Sequence, residues 1–230
     1  MIDFASLKAM TIPEGNVKRI EIDGELVWEA KASGRDEYQR VEYIYRKASG
    51  GWIRTDFIAN NTSGLELSFS VPSFSDTATM GSRESSVTNG RCYVFYPRTA
   101  AIGYVGWNTA QGWSVSTSAN TQYTTRLNWL NSRKAVILNA DGTTKATKSI
   151  SGTLVQQTKP IDICTYNNGN GRAMSLYGAR FTQGSEIVRE FIPCYRKSDG
   201  EIGMWETFTN TFFPSQVVGG FTQIGADIDW

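Results

Sequence analysis

From Tyr38 to the C-terminus the chain is a succession of short runs rich in β-branched and aromatic residues. Among them are "YQRVEYIYR", "GWIRTDFIA", "LELSFSV", "RCYVFYP", "IGYVGWN", "TRLNWLN", "KAVILNA", "PIDICTY", "AMSLYGARF" and "EIVREFIP", most of them separated by Gly, Asn, Asp or Ser. In "LELSFSV" the alternation is explicit: Leu65, Leu67 and Phe69 point one way, Glu66, Ser68 and Ser70 the other. Side chains on a strand alternate faces, so such a run has one buried and one solvated side. No amphipathic stretch of helical period competes. About a dozen half-buried strands at this spacing predict an all-β fold, a two-sheet antiparallel sandwich or jelly roll.

The first thirty residues stand apart. "VKRIEIDGELVWEA" has two short runs around Asp23-Gly24, a pair suited to a two-residue hairpin turn. Ile20 and Ile22 share a face of the first strand, Leu26 and Trp28 a face of the second. A lone two-stranded hairpin is marginal in water, so this apolar set calls for a partner. The division expected is an anchor with a small β-hairpin over 1–30, a polar linker "KASGRDE" over 31–37, and the sandwich over 38–230.

Composition narrows the chemistry. The chain has no histidine, which removes the commonest general base and the commonest zinc ligand, and with them Ser-His-Asp, Cys-His and His-ligated metal sites. No metal or other cofactor is expected. The 23 basic and 22 acidic residues nearly cancel, giving no reason to expect nucleic acid or an anionic membrane as partner. Cys92, Cys164 and Cys194 are widely spaced beside apolar residues, and read as packed free thiols. No secretory signal or membrane span is apparent, which predicts synthesis in a reducing cytosol without Sec export.

Two constellations suit a ligand. "VGWNTAQGW" reads as a hairpin whose loop, Asn108 to Gly112, is flanked by Trp107 and Trp113. Sugars stack their C–H faces on aromatic rings while amides take the hydroxyls, roles open to Asn108 and Gln111. Both tryptophans can equally be core residues. "TYNNGNGR" offers Asn168 and Asn170 for glycan hydrogen bonds and Arg172 for an acidic sugar or phosphate, although Asn-Gly is also an ordinary turn signal. In "VREFIPCYRKSDGEIGMWETFTNTFF" the carboxylates fall mostly on turns or solvent faces, and Pro193 is expected to interrupt its strand. Paired catalytic carboxylates need a shared cleft, so no catalytic residue is assigned.

The closing segment, "AMSLYGARFTQGSEIVREFIPCYRKSDGEIGMWETFTNTFF" followed by "GGFTQIG", resembles the last strands of concanavalin A-like (laminin-G/pentraxin-type) jelly-roll domains of tailed-phage virion structural proteins. The shared features are R-x-F-x-P-C, an S-D-G-x-x-G turn and an aromatic pair, while "GGFTQIG" has one residue more between Phe221 and Gly225 than the family's closing G-x-F-x-x-G. The opening "YQRVEYIYRKASGGWIRTDFIANNTSGLELSFSV" is similar to that family's first strands, and "LKAMTIPEGNVKRIEIDGELVWEA" resembles phage N-terminal anchor segments. Residues 75–160 match in strand pattern alone, and "GMWE" stands where "GLYD" is common. The resemblance implies a non-enzymatic bacteriophage virion protein made in the host bacterial cytoplasm, a capsid decoration or head fibre or a tail adhesin, anchored through Ile20, Ile22, Leu26 and Trp28. Its implied partners are other capsid or tail proteins, host or environmental glycans, and further copies of itself. A glycan hydrolase or lyase on the same sandwich is the alternative, and a purely structural interaction protein a third class.

Overall fold

The computed structural model describes residues 19–22, 25–29, 34–48, 50–84, 90–128, 133–152, 157–166 and 171–230. The chain is an all-β, two-sheet antiparallel sandwich, as the strand pattern predicts. In chain order the strands of the hairpin are β1 (Arg19–Ile22) and β2 (Glu25–Glu29). Those of the body are β3 (Tyr38–Arg40), β4 (Ile44–Arg46), β5 (Ile53–Arg54), β6 (Ser63–Ser70), β7 (Met80–Arg83), β8 (Arg91–Pro97), β9 (Ile102–Ser114), β10 (Tyr123–Asn128), β11 (Lys134–Asn139), β12 (Thr144–Ser149), β13 (Asp162–Ile163), β14 (Met174–Gln183), β15 (Glu186–Arg196), β16 (Ile202–Glu206), β17 (Thr211–Pro214) and β18 (Phe221–Ile224).

The large sheet runs β12-β11-β10-β6-β14-β15-β16-β17, with β3, β4 and β18 attached beside β14 and β15. The small sheet runs β5-β13-β7-β8-β9. The core lies between them. From the large sheet come Leu65, Leu67, Phe69, Leu127, Ile137, Phe181 and Phe191, and from the small sheet Ile53, Met80, Cys92, Val94, Val105 and Ile163. Burial alternates as expected, with Leu65, Leu67 and Phe69 inward and Glu66 and Ser68 outward. All three cysteines are buried free thiols. Burial pushes each thiol pKa up to about 12.

Turn chemistry follows the sequence. Gly142, Gly184 and Gly200 have φ of +82°, +64° and +74° at the tips joining β11 to β12, β14 to β15 and β15 to β16. Pro193 behaves differently from expectation. It does not interrupt β15 but lies where that strand changes neighbour. Pairing to β14 ends at Phe191, and pairing to β3 begins at Cys194. At such a switch no donor is needed from Pro193, while its carbonyl accepts the Val41 N–H at 3.0 Å.

At the N-terminus, Ile20 opposes Trp28, but a register shift then sets Leu26 opposite Glu21. Asp23 and Gly24 lie outside the described residues. Residues Gly34–Glu37, in the expected linker, form a 3-10 turn. The turn is tied to the body where Lys197 N–H donates to Glu37 O at 2.9 Å and Lys197 Nζ to Asp36 O at 3.1 Å. Among the described residues no helix is long and apolar enough to cross a membrane.

Candidate functional site

The tryptophan hairpin exists, but it does not make a sugar platform. β9 is 13 residues long and, if straight, would span about 40 Å. Yet Val115 N–H reaches Ala101 O at 3.0 Å and Thr117 N–H reaches Ala100 O at 2.8 Å. The strand therefore doubles back, and the reversal falls at Asn108, where φ is +63°. Trp107, opposite Cys92, is 1% exposed and Trp113 is 8% exposed, the latter edge-on to Phe95 at 5.3 Å. Both rings belong to the core between the two sheets. The amides are also committed: Asn108 Oδ1 accepts the Gly90 N–H at 3.0 Å, and Gln111 exchanges hydrogen bonds with the Ser151 backbone at 2.9 and 3.3 Å.

Arg172 is likewise structural. Its guanidinium is buried and donates to the carbonyls of Pro97 at 2.7 Å, Ser73 at 2.6 Å and Ser75 at 3.4 Å. Burial pulls its pKa down to about 10. A cation enclosed by carbonyls ties three backbone segments together and offers no fork to a ligand. Asn168 and Asn170 lie outside the described residues. Glu206, expected on a turn or solvent face, is fully buried and accepts hydrogen bonds from Glu190, Phe208 and Thr209.

The groove that the structure does offer crosses the outer face of the large sheet and encloses roughly 330 Å³. Register builds it. Arg126 on β10 opposes Glu66 on β6, Glu66 opposes Arg180 on β14, and Arg180 opposes Glu190 on β15. Four strands thus line up alternating charges in one row. Arg126 Nε hydrogen-bonds Glu66 Oε2, Arg180 lies 3.9 Å from Glu66 Oε1, and Arg180 Nε bonds Glu190 Oε1 at 2.7 Å. Opposite charges facing each other across strands are favourable, and here they also hold the side chains in fixed directions. Beside the row, Ser68 Oγ and Thr124 Oγ1 share a hydrogen bond of 2.7 Å.

Tyr177 borders the same groove. It occupies the register shift between Leu176 and Gly178 where β14 bulges against β6, and its ring packs on Tyr43 at 5.5 Å. Bulges redirect a side chain, and this one sets a half-buried ring beside a polar floor. The site thus combines an aromatic edge, two hydroxyls and a charge-balanced row. Sequence alternation marked Glu66 and Ser68 as outward-facing, but gave no sign that Arg126 and Arg180 would flank Glu66. Among the described residues no group of three or more Cys, Asp or Glu is placed to hold a metal ion.

No family model matches the sequence, and no curated protein matches it. Solved structures with some similarity to this chain include a protein of unknown function from Shewanella oneidensis MR-1, 13% identical, with a TM-score of 0.37 over 60% of this chain and 67% of that one. Another is scytalido-glutamic peptidase bound to a transition-state analogue inhibitor, 15% identical, with a TM-score of 0.33 over 80% of this chain and 89% of that one.

Proposed function

We propose that the protein is a structural component of a tailed-phage virion whose sandwich binds glycans without turning them over, and that the large-sheet groove is where a saccharide lies. The observation behind the ligand assignment is the row Arg126–Glu66–Arg180–Glu190 with Tyr177 beside it. Alternating guanidinium and carboxylate groups can donate to and accept from a sugar's hydroxyls in turn, while a ring takes an apolar C–H face. The balanced charge favours a neutral saccharide over an ion. The virion assignment rests on the sequence resemblance at both ends of the chain. Repetition on a particle would multiply a modest affinity.

One observation favours the hydrolase alternative. Glu66 and Glu190 are two strands apart with β14 between them, about 9.5 Å at ordinary strand spacing. That is near the upper limit of roughly 6.5–9.5 Å for inverting glycosidases. Against it, Arg180 occupies the interval and pairs with both carboxylates.

The test is to titrate the full chain with cell-wall, capsular and mucin glycans while assaying for new reducing ends. Binding without products, weakened by Tyr177→Ala and by Arg180→Ala, supports the proposal. Products that vanish in Glu190→Gln would make the protein a hydrolase. Failure to bind any preparation, even when multimerised, would leave a particle-decorating role without adhesion. Locating the chain in a cryo-EM map of the particle distinguishes head from tail, and its absence there would refute the virion assignment.

A further inference from the structure

The groove does not end at the charge row. Glu66, Arg126 and Arg180, which line it, also line a second depression of roughly 280 Å³ on the far side of the row. The row is therefore a sill between two troughs of one face, and register defines each level. On the near side Thr124, Ser68 and Gly178 stand in line across β10, β6 and β14. On the far side Asn128, Gly64, Thr182 and Ile187 stand in line across β10, β6, β14 and β15. From Ser68 to Gly64 the distance along β6 is about 13 Å.

Two features shape the far trough. Gly64 keeps its floor low, because the Thr182 hydroxyl occupies the space that a Cβ there would take. Ile187 is delivered by a bulge. Glu190 faces the sill and Arg189 opposes the core residue Phe181, so regular alternation would put Val188 outward and Ile187 inward. The register shift between Phe181 and Thr182 instead sets Ile187 opposite Thr182, where it borders the trough and is 43% exposed. An apolar edge, a hydroxyl and the Asn128 amide thus border one space, as Tyr177, Ser68 and Thr124 border the other. None of the four residues in the far line is charged. Beyond Asn128 the line ends at Lys134 on β11, which does not border the trough.

The sill suits a chain that crosses it. The Arg126 and Arg180 side chains are 49% and 48% exposed, against 20% for Glu66 and 28% for Glu190. The carboxylates lie low and hold guanidinium groups that stand higher, and a guanidinium has five N–H donors, more than these pairings use.

We propose that the ligand is a linear, neutral oligosaccharide lying along β6. One sugar ring sits in the trough at Tyr177, another against Ile187 and Asn128, and the part between them is hydrogen-bonded to Arg126 and Arg180 on the sill. The assignment depends on the groove being a glycan site, and adds to it a direction, a minimum length and a second subsite. A single sugar fills one trough. A chain makes both sets of contacts for one loss of translational and rotational freedom, so affinity rises with length until both troughs are filled and then levels off.

The experiment takes the cell-wall, capsular or mucin preparation that binds best, cuts it to fragments sorted by length, and titrates them calorimetrically into the full chain. Fragments that span both troughs should bind at least tenfold more tightly than fragments of one or two sugars. The double variant Asn128→Ala/Ile187→Ser changes two exposed side chains and should melt like the parent. It should lose at least fivefold with long fragments and nothing with short ones, whereas Tyr177→Ala should weaken both. Equal affinity at every length, with Tyr177→Ala still weakening it, would overturn the chain proposal and leave the groove as a site for a single sugar. A length gain that survives the double variant would come from repeated epitopes on one fragment and would overturn it as well. No binding by any preparation would overturn the chain and the glycan groove together.

Discussion

Glu206 ends β16 with its carboxylate fully buried and divided between donors from β15 and from the turn that follows β16. Oε1 accepts the N–H of Glu190 at 3.1 Å and of Phe208 at 3.1 Å. Oε2 accepts the Thr209 N–H at 2.7 Å and the Thr209 hydroxyl at 2.5 Å. The carboxylate thus fastens the Thr207–Asn210 turn to β15. In Glu206→Gln the amide NH₂ fits best on the Oε2 side, where the Thr209 hydroxyl can rotate to accept from it. Only the Thr209 N–H then loses its partner, a cost of about 2 kcal/mol. In Glu206→Ala three backbone N–H groups lose theirs, and with water partly compensating at the turn the cost is about 4 kcal/mol. For a domain of this size 1 kcal/mol moves Tm by roughly 2–4 °C. The glutamine variant should therefore melt roughly 4–8 °C below the parent and the alanine variant roughly 8–16 °C below. Asp199→Ala, on an exposed turn, is the control and should shift Tm by less than about 2 °C. Thermal unfolding followed by circular dichroism reads all three. An alanine variant melting with the control would refute the view that this carboxylate organises the closing strands.

Arg172→Lys keeps the charge but replaces a fork by a single ammonium, which cannot serve the Pro97 and Ser73 carbonyls together. A loss of about 2–3 kcal/mol in urea denaturation, with glycan binding unchanged, is expected. The three thiols should be inert to a thiol reagent at pH 8 in the folded protein and react fully in denaturant. Their folded pKa values lie above the unfolded ones, so stability is unaffected below the unfolded pKa and falls as pH rises from about 9 towards about 12. At pH 10 each thiol should cost about 1.4 kcal/mol relative to pH 7, and Cys92→Ala should flatten that decline.

The features that the sequence made legible are those decided within a few residues. Alternation in β6 assigned Leu65, Leu67 and Phe69 to the core before any partner was known, because side-chain direction on a strand is local. Gly184 and Gly200 are placed by backbone conformation, which is equally local. Pro193 departs from expectation for a different reason. Proline excludes a hydrogen-bonding donor, but whether the ladder wants one there depends on β15 passing from β14 to β3. The tryptophans were ambiguous in kind, since a large ring serves a core and a sugar face equally well. What separates the two is the sheet that packs against Trp107, and nothing within "VGWNTAQGW" encodes it.

The groove was hidden by the same limit. Arg126 reaches Glu66 across 60 residues of sequence, and the contact exists because β10 pairs with β6 in one register and not a neighbouring one. A slip of one residue would send Arg126 to the core and Leu127 to solvent, so burial of Leu65, Leu67 and Leu127 is what enforces the charge row outside. The same constraint acts on the small sheet: keeping Cys92 and Val94 inward obliges Arg91 to face Arg83. The core does not, however, dictate what residue types stand at those outward positions. Opposite charges in register on one face, and like charges on the other, are choices left open by folding. They are therefore where selection for binding should be sought, and substitutions at Arg126 and Arg180 should alter glycan affinity while leaving the register of β10, β6 and β14 intact.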